Sequence, residues 1–136
     1  MQTYKLLVFA LVVTGLLLAA CAPASVLNNT AWTLVTLNDQ PAVAGTQVTL
    51  SFADGKISGK DGCNTYGSSF AESGSKLSVG KDMMSTKMAC AEPVMQQASA
   101  FTAALIQAAS FQLENQQLTL LDAAGKVRAV FTRLAR

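Results

Sequence analysis

Cys21, Cys63 and Cys90 are the three cysteines of a 136-residue chain that contains no histidine. Without imidazole there is no Ser-His-Asp or Cys-His nucleophile, and zinc loses its commonest protein ligand. Three thiols fall short of the four ligands a structural zinc site needs. The remaining chemistry-bearing residues cluster in two stretches. One is Gly59-Lys60-Asp61-Gly62-Cys63-Asn64-Thr65-Tyr66; the other is Ser85-Thr86-Lys87-Met88-Ala89-Cys90.

Asp61 and Asn64 have the oxygens for a cation site, but a calcium loop requires further oxygen ligands at regular spacing and none follow. Both side chains are expected to bond nearby backbone and hold a turn between Gly59 and Gly67. Tyr66 is expected to pack with its hydroxyl satisfied. Thr86 is expected to cap the turn leading to Cys90. Met83, Met84 and Met88 have the thioethers that suit Cu(I), yet flexible core filling explains them more simply. No catalytic residue, metal or cofactor is assigned.

These stretches sit among short strands. Trp32 to Leu37 is β-branched and aromatic and stops at Asn38-Asp39-Gln40-Pro41. Val48, Leu50 and Phe52 alternate with polar residues, Asp54-Gly55 supplies a hairpin turn, and Lys56 to Gly59 returns. A polar loop with Gly67, Ser68, Ser69, Ser73 and Gly74 is expected next, then short strands at 76–79 and 83–85. A helix is predicted over 91–109, with Glu92 and Pro93 in its first turn. Its apolar stripe is Met95, Ala98, Thr102, Leu105 and Ala109, widened by Val94, Phe101 and Ala108. Phe111 with Leu113, Leu118 with Leu120, and Val127, Ala129 with Phe131 mark three final strands. The fold class is therefore mainly β with one helix. About seven or eight largely antiparallel strands form a curled or barrel-like sheet, with the helix over one opening or face.

The first residues read as an address. Leu6 to Ala20 is an uncharged run of signal-peptide length, too short to span a bilayer. It ends Leu18-Ala19-Ala20-Cys21, the pattern of a bacterial lipobox, in which the cysteine becomes the acylated first residue. The expected organisation is a signal peptide at 1–20, a lipidated Cys21 with a tether at 21–26, and one domain at 27–136. Two or more acyl chains anchor a small domain firmly where one does not. Ala22, in place of an inner-membrane retention Asp, points to the outer membrane, with the domain facing the periplasm.

Hydrophobic residues make up 51% of the chain, a bias concentrated in its first twenty residues. The rest has the composition of an ordinary small domain. A net charge of +2 with scattered lysines excludes a nucleic-acid surface. Lys56, Lys60, Lys76, Lys81 and Lys87 read as solvated edge and loop positions.

Several motifs occur in a telling order: Asn29-Thr30-Ala31-Trp32-Thr33-Leu34, Val48-Thr49-Leu50-Ser51-Phe52, Gly59 to Tyr66, and Thr86-Lys87-Met88-Ala89-Cys90. This series resembles the META domain family of HslJ-like heat-shock lipoproteins, over about 27–134. The resemblance implies a curled antiparallel sheet with one helix and an envelope protein linked to stress or drug tolerance. In some relatives it implies motility or secretion. It implies no enzymatic reaction, and Trp32, Gly59, Asp61, Gly62, Asn64, Tyr66, Thr86 and Met88 enter as structural motif positions.

An oxidising compartment and a lipidated Cys21 leave Cys63 and Cys90 as an even pair, which reads as an intramolecular disulfide. A redox-active pair and two free buried thiols are the competing readings. Three functions follow. The first is a monomeric, non-enzymatic lipid-anchored domain that binds an envelope component. The second is a periplasmic inhibitor or small-ligand binder using the mouth of the curled sheet. The third is a thiol-redox protein using Cys63 and Cys90.

Overall fold

The computed structural model describes residues 24–135. The expected signal peptide at 1–20 and the expected acylation of Cys21 lie outside the described residues.

The chain forms strands β1 (Thr30–Leu37), β2 (Gln40–Pro41), β3 (Thr49–Ala53), β4 (Lys56–Lys60), β5 (Thr65–Ser73), β6 (Lys76–Val79) and β7 (Met84–Ser85). Helix α1 (Glu92–Gln107) follows, then β8 (Ala108–Glu114), β9 (Gln117–Asp122) and β10 (Val127–Arg133). Eight strands, β1, β3, β4, β5, β6, β8, β9 and β10, pair antiparallel in chain order, and β10 closes onto β1. The result is an up-and-down barrel, extended by β2 on β1 and β7 on β5. Asp54-Gly55 and Asn115-Gln116 both have positive φ at the two turn positions, the type I′ geometry that matches strand twist.

Three sequence expectations need correction. The polar stretch after Tyr66 is not a loop: it is β5, at nine residues the longest strand. Its serines and glycine tolerate exposure, and pairing to β4, β6 and β7 satisfies the backbone that their side chains cannot stabilise. The Gly59–Tyr66 motif accordingly turns β4 into β5. The helix ends at Gln107, so Ala108 and Ala109 belong to β8. On the helix Met95 is exposed, and the buried face is Gln97, Ala98, Phe101, Ala104 and Leu105.

Register defines the two ends of the barrel. Thr30, the Asp54-Gly55 turn, the Gly74 turn, Asn115-Gln116 and Arg133 share one end. Leu37, the Asp61–Asn64 turn and the start of β8 share the other. Helix α1 leaves from Cys90, bonded to Cys63, and delivers Ala108 beside Asp122. Both its ends therefore lie on the second rim, and the helix spans that opening. Phe101 enters the interior between Tyr66 of β5 and Phe131 of β10, in edge contacts at 5.5 and 6.2 Å. Arg128 fastens the helix end: it donates to Gln107 Oε1 and, at 3.3 Å, to Asn38 Oδ1. Its Nε lies 3.0 Å from Asp122 Oδ2, off the N–H direction, an ion pair more than an aligned hydrogen bond. Backbone N–H groups of Lys126 and Ala124, with Arg128, hold the Asp122 carboxyl below the usual range.

The first opening is closed by Leu27, which is wholly buried. Trp32, Leu50, Phe52, Ile57, Leu118, Leu120 and Phe131 fill the interior between the two caps. Alternation along β1 breaks at a bulge between Leu34 and Thr36, which turns Leu37 inward where strict alternation would face it outward.

Candidate functional site

Asp61 builds the β4–β5 turn. Its Oδ1 accepts from the backbone N–H of Cys63 at 2.9 Å and of Asn64 at 2.6 Å, while its own N–H donates to the Asn64 carbonyl. Gly62 sits at φ 100°, and a Cβ there would fall 2.8 Å from Gln97 Nε2. Gln97 needs that space. Its Oε1 accepts from Val43 N at 2.6 Å and its Nε2 donates to Thr46 Oγ1 at 3.1 Å, tying the helix to the β2–β3 loop.

Asn64 differs from its expected role. Its side chain does not hold its own turn but reaches across to the second motif. Oδ1 accepts from Thr86 Oγ1 at 2.9 Å and from Met88 N at 2.7 Å. Thr86 does not cap the approach to Cys90; its Oγ1 accepts from Thr65 N at 3.1 Å. Cys63 and Cys90 are bonded, with S–S 2.08 Å and Cα atoms 6.0 Å apart. The segment from Met84 to Cys90 is thus held by β7 pairing, by the Asn64 amide and by a disulfide. The Asn64 contact satisfies the Met88 N–H, a backbone donor that regular structure leaves without a partner in this irregular segment.

Tyr66 is buried, and its hydroxyl donates to the Thr49 carbonyl at 2.8 Å. Burial, reinforced by the nearby Asp61 charge, pushes its pKa far above the ordinary tyrosine value. It is a neutral structural donor and no base. Trp32 is wholly buried, its Nε1 donating to Thr30 Oγ1 at 2.8 Å. Gly59 lies between β3 and Tyr66, where a Cβ would fall 2.1 Å from the Thr49 carbonyl oxygen.

Two of the three methionines expected in the core are outside it. Met84 is 79% and Met88 58% exposed, and only Met83 packs against the core. The staples hold the backbone of this segment so close to β5 that these side chains can only point outward. Met84 borders an open groove of about 880 Å³ on the outer face of β4 and β5, with Lys56, Ser58, Gly67, Ser69 and Asp82. Met88 borders a second, of about 370 Å³, with Thr46, Lys60 and Gly62. Thr65 and Thr86 line both, forming the ridge between them.

Among the described residues no group of three His, Cys, Asp or Glu side chains could hold a metal ion. The arrangement presents a rigid surface with two projecting thioethers. Sequence reasoning missed Gln97 and Glu72. Gln97 was legible as the polar interruption three residues after Val94 and four before Phe101. Glu72, the single acidic residue between Asp61 and Asp82, bonds the N-terminal segment; Ser25 Oγ donates to it, as do Val26 N at 2.9 Å and Leu27 N at 3.3 Å. Ser25 and Val26, placed in the tether by sequence, are therefore fastened to the barrel.

A sequence profile of the META domain matches residues 25–134. Among solved structures, the chain is similar to an NMR structure of a protein from Burkholderia xenovorans. The two are 31% identical, with 81% of this chain and 85% of that chain covered and a TM-score of 0.65. A second NMR structure is 25% identical, covering 78% of this chain and 90% of that one with a TM-score of 0.62. A crystal structure of a DUF4847 family protein from Bacteroides vulgatus shares the fold at 16% identity, covering 82% and 96% with a TM-score of 0.59. No curated protein matches the chain.

Proposed function

The chain belongs to the META domain family, and from that footing we propose a monomeric, non-enzymatic binding domain, lipid-anchored through Cys21 to the outer membrane. Facing the periplasm, it engages an envelope protein during stress or drug exposure. The observation that supports this most is the exposure of Met84 and Met88 on a segment held by a disulfide and Asn64. A fixed backbone lowers the ordering cost of binding, while unbranched thioethers adapt to the partner's relief. Barrel interior and both caps are occupied by side chains, which leaves the outer surface for recognition.

A photo-crosslinking side chain at position 84, introduced into the membrane-bound protein, tests this. A reproducible adduct from position 84 but not from Gln112, lost with Met88→Ser, supports it. Adducts absent from both positions, or equal at both, sink it.

A second reading places a small molecule in the Met84 groove, whose volume of about 880 Å³ falls within the range of ligand sites. It moves the ligand from the mouth of the barrel, filled by α1, to the outer face of β4 and β5. Amide shifts confined to Ser58, Gly67 and Ser69 on adding envelope-active drugs would favour it over a protein partner. The thiol-redox alternative requires Cys63 or Cys90 to exchange with an external thiol, and a bridge inert to a thioredoxin-type reductant eliminates it.

A further inference from the structure

We infer that the N-terminal segment docks the barrel on the bilayer in one orientation, with the rim of Gly55, Gly74 and Asn115 against the lipid and the disulfide, Met84 and Met88 end directed away. This deepens the proposed function and rests on its lipid-anchoring reading.

Three contacts fasten the segment. Glu72, near the end of β5, accepts from Ser25 Oγ, Val26 N and Leu27 N. Asn28 Oδ1 accepts from Asp54 N at 2.8 Å, and Asn28 N donates to Ser25 Oγ at 3.0 Å. Leu27 fills the opening of the barrel and is wholly buried. All these partners lie at the end opposite α1.

Lengths decide the consequence. If chain order began only at Thr30, nine residues would separate it from Cys21, a reach of about 30 Å. The eight residues of β1 span about 26 Å, and about 20 Å along a barrel axis at the usual tilt. Such a tether would exceed the barrel and let it turn freely. Fastened at Ser25, the tether is four residues, about 14 Å at full extension and shorter than the barrel. The rim bearing Ser25 then stays at the surface, and the far rim cannot reach it. Charge does not set this orientation. On that rim Lys56, Lys76 and Arg133 are matched by Asp54, Glu72 and Glu114, so no net attraction to anionic head groups arises.

The test uses the full-length protein, processed in cells and reconstituted in nanodiscs whose lipids carry nitroxide head groups. Intact mass first reports whether Cys21 is acylated. The expected result is loss of the amide signals of Gly55, Gly74 and Asn115, with those of Gly62, Met88 and Gly125 retained. The pattern should be the same in zwitterionic and anionic lipid. Glu72→Ala, and separately an insertion of about ten Gly and Ser residues between Ala24 and Ser25, which lengthens the tether well beyond the barrel, should erase the contrast. The insertion leaves every barrel residue intact, so it decides even where Glu72→Ala unfolds the domain. Uniform loss in the acylated wild type, loss at the Met88 end, or a contrast that survives the insertion overturns this inference alone. An unacylated Cys21 overturns the anchoring reading and this inference with it.

Discussion

Gly59 and Tyr66 lie directly opposite each other in the β4–β5 ladder, and the Tyr66 hydroxyl extends to the Thr49 carbonyl of β3 at 2.8 Å. The tyrosine thus links the strand that carries it to the strand beyond its partner, passing where only a glycine leaves room. A Cβ on Gly59 would sit 2.1 Å from that same carbonyl oxygen. Gly59→Ala should therefore force β3 and β4 apart and destabilise the domain by about 2–3 kcal/mol, the upper part of the overpacking range. Urea denaturation checks it, and a loss below that of Tyr66→Phe would refute the close-approach argument. Tyr66→Phe should cost about 1 kcal/mol for its single hydrogen bond.

The same tyrosine predicts a one-sided pH response. Its folded pKa is raised, first by burial and then by Asp61. The unfolded chain releases the phenolic proton near pH 10 while the folded chain keeps it. Stability is then fully present below about pH 10 and falls as pH rises above it, because the unfolded state binds fewer protons. Tyr66 is the one tyrosine after Cys21, so tyrosinate absorbance of a chain that begins at Ala22 reports this group alone. Tyr66→Phe should abolish the alkaline loss that this group causes. An alkaline decline of equal slope in the variant would assign it elsewhere.

Cys63 and Cys90 stand 27 residues apart. Closing a loop of that length restricts the unfolded chain, and in the chain-entropy account it contributes about 3–4 kcal/mol. Cys63→Ala/Cys90→Ala should lower the unfolding free energy by about that amount. Far-ultraviolet dichroism should still show the β-rich fold below the transition, since the barrel closes through β1 and β10 without the bridge. Loss of under about 1 kcal/mol would mean that the unfolded chain is already restricted between these positions without the bridge, and would refute the loop-closure account.

Those contacts can be separated from the bridge. Asn64→Ala removes the acceptor of Met88 N and Thr86 Oγ1 and should cost about 1–3 kcal/mol. Hydrogen exchange at the Met88 amide should quicken strongly while the amides of β8 and β9 keep their protection. Unchanged exchange at Met88 would show that the disulfide and β7 suffice to hold the segment. Photo-crosslinking from position 84 in Asn64→Ala should also weaken, since the proposed binding surface needs a fixed backbone.

Much of this architecture was written locally. Alternation of Val48, Leu50 and Phe52, the two-residue turns at Asp54-Gly55 and Asn115-Gln116, and the stripe around Phe101 each specify an element within a few residues. Short links between successive strands then leave a meander as the simplest sheet, and the order of motifs carries the family. Where local signals failed, the deciding partner lay far along the chain. The serines and glycine of β5 look like a loop until the backbones of β4 and β6 are beside them. Asp61 could be read as a turn-builder because the backbone N–H donors to its carboxylate lie two and three residues on. Asn64 could not be assigned to Met88, 24 residues away, from its own neighbourhood.

The sequence by itself determined the strands other than β5, the helix, the pairing partners available to Cys63 and Cys90, and the absence of imidazole chemistry. Those follow from residue type and short-range spacing. Only the tertiary structure decided which side chains face outward. Met84 and Met88 are apolar enough for a core, but the Asn64 bonds and the disulfide pull their backbone onto the barrel wall, and Phe101 and Leu27 already fill its two openings. What began as a cluster of reactive-looking residues is, once the chain closes, the fastening that holds two methionines in the open.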